Sequence, residues 1–282
     1  MKKRLLTAAV GIAAATAWLF AMYTPVFVTV LAIVAFIAEY EMLKVFGVKN
    51  IPFQIICLAI SAAVVFCLEH IESINIPLFP IITAVVILSL IIMVLDFERL
   101  RFEQVVCSLL SAVLIPSALS CVILFRDVYK SFDGIYNKND GIFFILFAFI
   151  CSWATDSFAL FAGMAFGKHK LSPKISPKKT VEGAVGGVLG CMLVCTGLYF
   201  LFKLKLGLSE SITLTITLIS ALLLSVISIF GDLAASTIKR HHGVKDFGNI
   251  LPGHGGVMDR FDSSVFVFPV LYSIIVVMNQ LF

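Results

Sequence analysis

Between residues 225 and 264 the chain carries serines, carboxylates and cations at spacings suited to phosphate chemistry. Ser225, Ser228, Asp232, Ser236 and Lys239 lie 3, 4, 4 and 3 residues apart, which on a helix makes one polar stripe. Asp259 and Asp262, in VMDRFDSS, share a helical face at i and i+3. Hard cations such as Mg²⁺ take oxygen ligands and complete their shell with water and substrate phosphates. One carboxylate from each side of the intervening loop, Asp232 and Asp259, therefore suffices for an open metal site. Two other readings stand beside it: Asp232 pairs with Lys239 or caps a neighbouring helix, and Arg260 neutralises one of the two carboxylates.

The loop itself adds Lys239-Arg240, Lys245-Asp246 and the turn Pro252-Gly253-His254-Gly255-Gly256. Side chains leave the amides of such a turn uncovered, which suits close approach of an anion. His241 and His242 are adjacent, so they point to different helix faces, and no third soft ligand is near; they read as solvated rather than as a zinc site. A second polar loop, GKHKLSPKISPKKTVEG (167–183), repeats Ser-Pro-Lys at 172–174 and 176–178. Ser176 before proline reads as a helix N-cap, and Thr180 is another candidate cap. Lys178 and Lys179 beside a helix N-terminus then offer a phosphate-binding edge; a basic strip holding anionic lipid headgroups is the alternative.

The elements that must position these residues are membrane helices. Of 282 residues, 60% are hydrophobic and 13% charged, and the mean hydropathy is +1.06, which excludes an ordinary soluble domain. A helix crossing about 30 Å of hydrocarbon needs roughly 20 apolar residues, and about nine runs qualify, near 5–23, 25–43, 51–68, 78–95, 105–125, 141–166, 182–202, 211–232 and 264–282. The expected fold is all-α and polytopic, one continuous membrane domain with an N-terminal region 1–140 and a catalytic region 141–282. The opening MKKRLLTAAVGIAAATAWLFAMY reads as a retained first helix rather than a cleaved signal. Charges at span ends, such as Glu39-Tyr40-Glu41 and Asp96-Phe97-Glu98-Arg99, read as a solvated rim. All seven cysteines fall in apolar runs without a CxxC pair and read as small buried hydrophobes. GxxxG pairs at Gly163/Gly167, Gly183/Gly187 and Gly186/Gly190 allow close helix packing, within one chain or between two. Asp156, beside Ser152 and Thr155, is a further polar intrusion, so spans six to eight are expected to surround one polar cavity.

At this point the sequence resembles the phosphatidate cytidylyltransferases, or CDP-diacylglycerol synthases. Ser236, Lys239-Arg240, Lys245-Asp246, His254-Gly255-Gly256, Asp259-Arg260 and Asp262 fit that family's signature without a gap, and the resemblance covers roughly 150–264 closely. It implies a homodimeric inner-membrane enzyme that uses CTP and phosphatidate, requires Mg²⁺, works among membrane lipids and has no nucleic-acid partner. Under that resemblance Asp232 and Asp259 hold Mg²⁺, with Asp262 a ligand for a second cation. Lys239, Arg240, Lys245 and Arg260 bind phosphates, Ser176, Lys178, Lys179 and Thr180 form a second phosphate-binding edge, and Ser236 and Asp246 complete the substrate site. His254 donates to a phosphate oxygen or braces the turn. The competing readings are a CTP-dependent lipid or polyprenol kinase and a secondary transporter.

Basic residues near span ends stay on the cytoplasmic side. With the N-terminus inside, sixteen of the 21 lysines and arginines are cytoplasmic, together with both polar loops. Single cysteines at Lys174 and Asn249 in a Cys-less variant are therefore expected to be labelled only from the cytoplasmic side; labelling of either from outside intact cells overturns this topology.

Overall fold

The computed structural model describes residues 11, 13–70, 78–132, 134–251, 253 and 255–281. Its elements are α1 (Pro25–Val45), α2 (Ile51–Glu69), α3 (Leu78–Leu95), α4 (Phe102–Arg126), a short α5 (Val128–Ser131), α6 (Lys138–Phe166), β1 (Lys170–Ser172), β2 (Ser176–Thr180), α7 (Val181–Leu201), α8 (Leu214–His241), one turn α9 (Met258–Phe261) and α10 (Ser264–Leu281). The all-α polytopic reading holds. Among the described residues seven helices are long and apolar enough to cross a membrane, and Pro80–Leu95 is a shorter apolar helix. Nine spans were expected from the sequence; of the first, 5–23, residues 5–10 and 12 lie outside the described residues, and 13–20 are helical. The exception to helix is the β1–β2 antiparallel hairpin, pairing Lys170 with Thr180 and Ser172 with Ser176. Ser176 is thus in a strand and not a helix cap. Thr180 alone caps α7, its Oγ1 accepting from Gly183 N at 3.1 Å.

The chain forms two compact units, Met1–Ser120 with His242–Arg260, and Cys121–His241 with Phe261–Phe282. In the first, prolines at the first turns of α1 and α2 start the helices where a missing N–H costs nothing. Asn50 caps α2 by accepting from Phe53 N and donates to Asp96 at 2.8 Å. Gln104 donates to the carbonyls of Phe46 and Gly47 at the end of α1.

The solvated-rim reading fails at two carboxylates. Glu98 and Arg99 are exposed, but Glu39 and Glu41 are 0% and 2% exposed. Glu39 accepts from Ser111 Oγ at 3.1 Å. Glu41 accepts from two backbone amides of the signature loop, Val257 N at 3.1 Å and Met258 N at 2.9 Å. The loop reaches it because two glycines have no side chain: a Cβ on Gly248 would collide with the Glu41 carboxylate, and one on Gly256 would lie 2.5 Å from it.

The second unit is built on a glycine seam between α6 and α7. A Cβ at Gly183 would lie 2.7 Å from Ala159 O, one at Gly187 would lie 2.7 Å from Thr155 O, and Gly186 and Gly190 abut Ala162 and Phe158. The GxxxG faces therefore pack within one chain. Thr180 sits in the same seam, its Oγ1 3.0 Å from where a Gly163 Cβ would stand. At the other end Asn137 and Asp140 form a capping box on α6, and Asp140 also accepts from Ser209 N at 3.1 Å ahead of α8. The helices α8 and α10 touch at Gly231, where a Cβ would meet Ser263 Cα at 3.1 Å.

Each unit yields one expected outcome. Glu41→Gln puts an amide donor against an amide N–H, leaving a mismatched pair worth about 1–3 kcal/mol. Limited proteolysis is expected to cut 242–257 faster in this variant with helix content unchanged; equal cutting removes Glu41 as the loop's anchor. Gly187→Ala is expected to lower the unfolding temperature in detergent through an overpacking cost of about 1–3 kcal/mol. Gly197→Ala, with nothing within 4 Å of its added Cβ, is the neutral control.

Candidate active site

In the second unit, β2, α6, α8 and the segment leading into α10 bring charged groups together. Lys179 on β2 forms an ion pair with Asp232 on α8. Lys239, two turns further along α8, lies 3.7 Å from Asp262 Oδ2. Ser263 Oγ donates to Asp156 Oδ2 on α6 at 3.2 Å, and Asp262 Oδ1 accepts from Ser263 N at 2.8 Å. The sequence left Asp232 paired with Lys239 as one alternative; the partner is instead Lys179, and Lys239 goes to Asp262.

Burial lowers the pKa of Lys179 below the usual lysine range; the carboxylates of Asp156 and Asp262 oppose that fall, and the neighbouring Lys239 adds to it. Three carboxylates and two ammonium groups leave this cluster one negative charge when all are ionised. The polar stripe on α8 is real: Ser225 and Ser228 are fully buried and Asp232, Ser236 and Lys239 half-buried. Its buried end turns inward, where Ser228 Oγ donates to Ser152 O at 3.4 Å. Lys178 and Arg240 are exposed, and Ser176 is half-buried on β2. Glu182, the second residue of α7, accepts from Lys168 N at 3.0 Å and from the His169 ring, tying the hairpin's base to the helix start.

The first unit carries the rest of the signature. Lys245, Asp246 and Arg260 are exposed, and Asp259 is half-buried. His254 and Pro252 lie outside the described residues. Gly253 and Gly255 have φ of 78° and 80°, in the left-handed region that glycine enters at least cost, and Leu251 pairs with Gly255 in an isolated bridge. The expectation of uncovered amides is corrected here. Asp259 Oδ2 accepts from Phe247 N and Gly256 N, both at 2.9 Å, while Glu41 takes the next two amides. The turn is an anion nest already filled by the protein's own carboxylates. His241 and His242 are exposed as expected, and the His242 ring lies 5.3 Å from that of Phe46.

Sequence reasoning therefore missed Glu41 and Ser263 and placed Asp156 only as a neighbour of the cavity. A signal for Glu41 was available: it falls three residues after Ala38, on the face of α1 that also buries Leu31 and Ala35.

Comparison with known proteins gives the family. Residues 2–278 match the model of the cytidylyltransferase family. A phosphatidate cytidylyltransferase of Bacillus subtilis is 35% identical over 96% of both chains. Those of Staphylococcus saprophyticus and Staphylococcus haemolyticus are 38% and 39% identical over 55% and 50% of this chain. These two alignments span about half the length of the relatives themselves, 57% and 52%. The family match runs through both units and includes the buried Glu41 as well as the charged cluster, and the chain belongs to the cytidylyltransferase family.

Proposed function

We propose that this protein transfers CMP from CTP to phosphatidate, giving CDP-diacylglycerol and pyrophosphate for phospholipid biosynthesis. The observation that carries the reading is the near full-length similarity to the Bacillus subtilis phosphatidate cytidylyltransferase. The charged groups suit the chemistry. A phosphatidate oxygen attacks the α-phosphorus of CTP, the new P–O bond forms, and the bond to the β-phosphate breaks with pyrophosphate leaving. The nucleophile is already an anion, so no general base is needed; the barrier lies in bringing two anions together and holding charge on phosphate.

In this reading Lys179 and Lys239 exchange their carboxylate partners for substrate phosphates, and the exposed Lys178, Arg240, Lys245 and Arg260 attract the anions. The carboxylates of Asp232, Asp259 and Asp262 serve magnesium. What supports a metal is the donor chemistry: carboxylate oxygens are the ligands hard divalent cations take, and the cluster around Asp232 is already matched to cations. When bound, magnesium supplies charge neutralisation on the CTP phosphates. Asp259 also shapes the loop through its two amide hydrogen bonds, so its loss affects the backbone as well as charge. We place the protein in the cell's inner membrane with both polar loops cytoplasmic, supported by the distribution of basic residues, and as a homodimer, supported by the family resemblance alone.

Purified protein given labelled CTP and phosphatidate is expected to form CDP-diacylglycerol and pyrophosphate in equal amounts; CDP with a phosphorylated lipid, or no turnover, sinks the proposal. Asp232→Asn and Asp259→Asn are each expected to lower kcat at least about a hundredfold, near 2.7 kcal/mol, with expression and extraction unchanged. If both serve one ion, the double variant is little worse than either single. Losses that multiply independently separate Asp259 from that ion.

A further inference from the structure

Away from the charged groups, the second unit holds a cluster that the proposed reaction does not use. Cys151 on α6 and Cys191 and Cys195 on α7 are each 0% exposed. Their Sγ atoms all lie within 4.8 Å of one another, the only such group of three ligand-type side chains among the described residues. Cys151 Sγ is 3.8 Å and Cys191 Sγ 3.9 Å from Cys195 Sγ. The sequence showed no metal motif because the third sulfur comes from a different helix, 44 residues from Cys195.

We propose that these three cysteines form a binding site for one soft monovalent cation, Cu(I), within the membrane-spanning part of the protein. The geometry is the first argument. A planar three-coordinate centre with metal–sulfur bonds of about 2.3 Å, the length of a first-row metal–thiolate bond, spaces its sulfurs about 4.0 Å apart. Two of the three pairs already stand at 3.8 and 3.9 Å, so little movement is needed. The spacing is held by the glycine seam, since Gly187, one turn before Cys191, lets α7 rest against the backbone of Thr155, one turn after Cys151.

The second argument is coordination number and charge. Zinc takes a fourth ligand, and iron–sulfur clusters take four thiolates. Sulfur sets suit Cu(I) among the soft ions, and three buried sulfurs closed to water leave no fourth position for solvent. Net charge is costly in hydrocarbon. A monovalent ion reaches neutrality with one thiolate, the other two sulfurs binding as neutral thiols in the manner of the thioethers that also suit Cu(I). Binding breaks the S–H bond of that one thiol, forms three metal–sulfur bonds and releases one proton to solvent.

The test uses the full-length protein in detergent, kept reduced, competing with a chromogenic Cu(I) chelator. Wild type is expected to withhold one Cu(I) per chain and release one proton. A variant with Cys57, Cys67, Cys107 and Cys121 all changed to Ser is expected to do the same. Cys195→Ser and Cys151→Ser are each expected to weaken binding at least about a hundredfold while retaining wild-type elution and turnover without copper. Failure of wild type to hold Cu(I), equal retention by the Cys195→Ser or Cys151→Ser variant, or loss of binding in the four-serine variant overturns the site. So does tight binding of Zn²⁺ offered alone in place of Cu(I).

Discussion

A carboxylate carried into an apolar helix must be met by donors from elsewhere in the chain, and the fold is arranged around that demand. Left alone at a helix centre, such a group costs about 2.5–3.5 kcal/mol on insertion scales. Glu41 meets amides that lie 216 and 217 residues away, Asp232 meets Lys179, and Asp156 meets Ser263. Each contact pins a loop, a strand or a helix start, and in the signature loop it acts together with the burial of Phe247, Val257 and Met258. The polar loops of this protein are held by buried polar contacts as well as by apolar packing.

Glycine is the second half of the same arrangement, because a carboxylate or carbonyl can approach a backbone only where no Cβ intervenes. Gly248 and Gly256 admit Glu41, Gly255 leaves room for Asp259, and Gly183 and Gly187 admit the carbonyls of α6. In hydrocarbon there is no hydrophobic drive between helices, so close packing has to supply the attraction. The same residue type thus shapes the first unit's loop and the second unit's helix pair.

Much of this was legible in the sequence where the information is local. The α8 stripe from Ser225 to Lys239 follows from helical period, the GxxxG seam from spacing, and the Thr180 cap from residue type. What failed was long-range or bistable. Glu41 read as rim because it sits near a helix end, and nothing local says that Val257 and Met258 will come to it. Asp232 was offered Lys239 as a partner on its own helix, but that lysine lies near Asp262, and Lys179 arrives from a hairpin. That hairpin was invisible because Ser-Pro is as good a helix cap as a strand residue, and three and five residues make too short a period to register.

Thr180 closes β2, caps α7 and is wedged in the seam against Gly163. Strand, cap and both helices consequently meet at one residue, with Asp156 carried on α6 and Lys179 on β2. Under the proposed reaction, the exchange of Lys179 and Lys239 between carboxylate and phosphate then falls to side-chain torsion or to sliding of α8 and α10. There α8 and α10 approach closely at Gly231, where an added Cβ would meet the Phe266 ring at 3.0 Å.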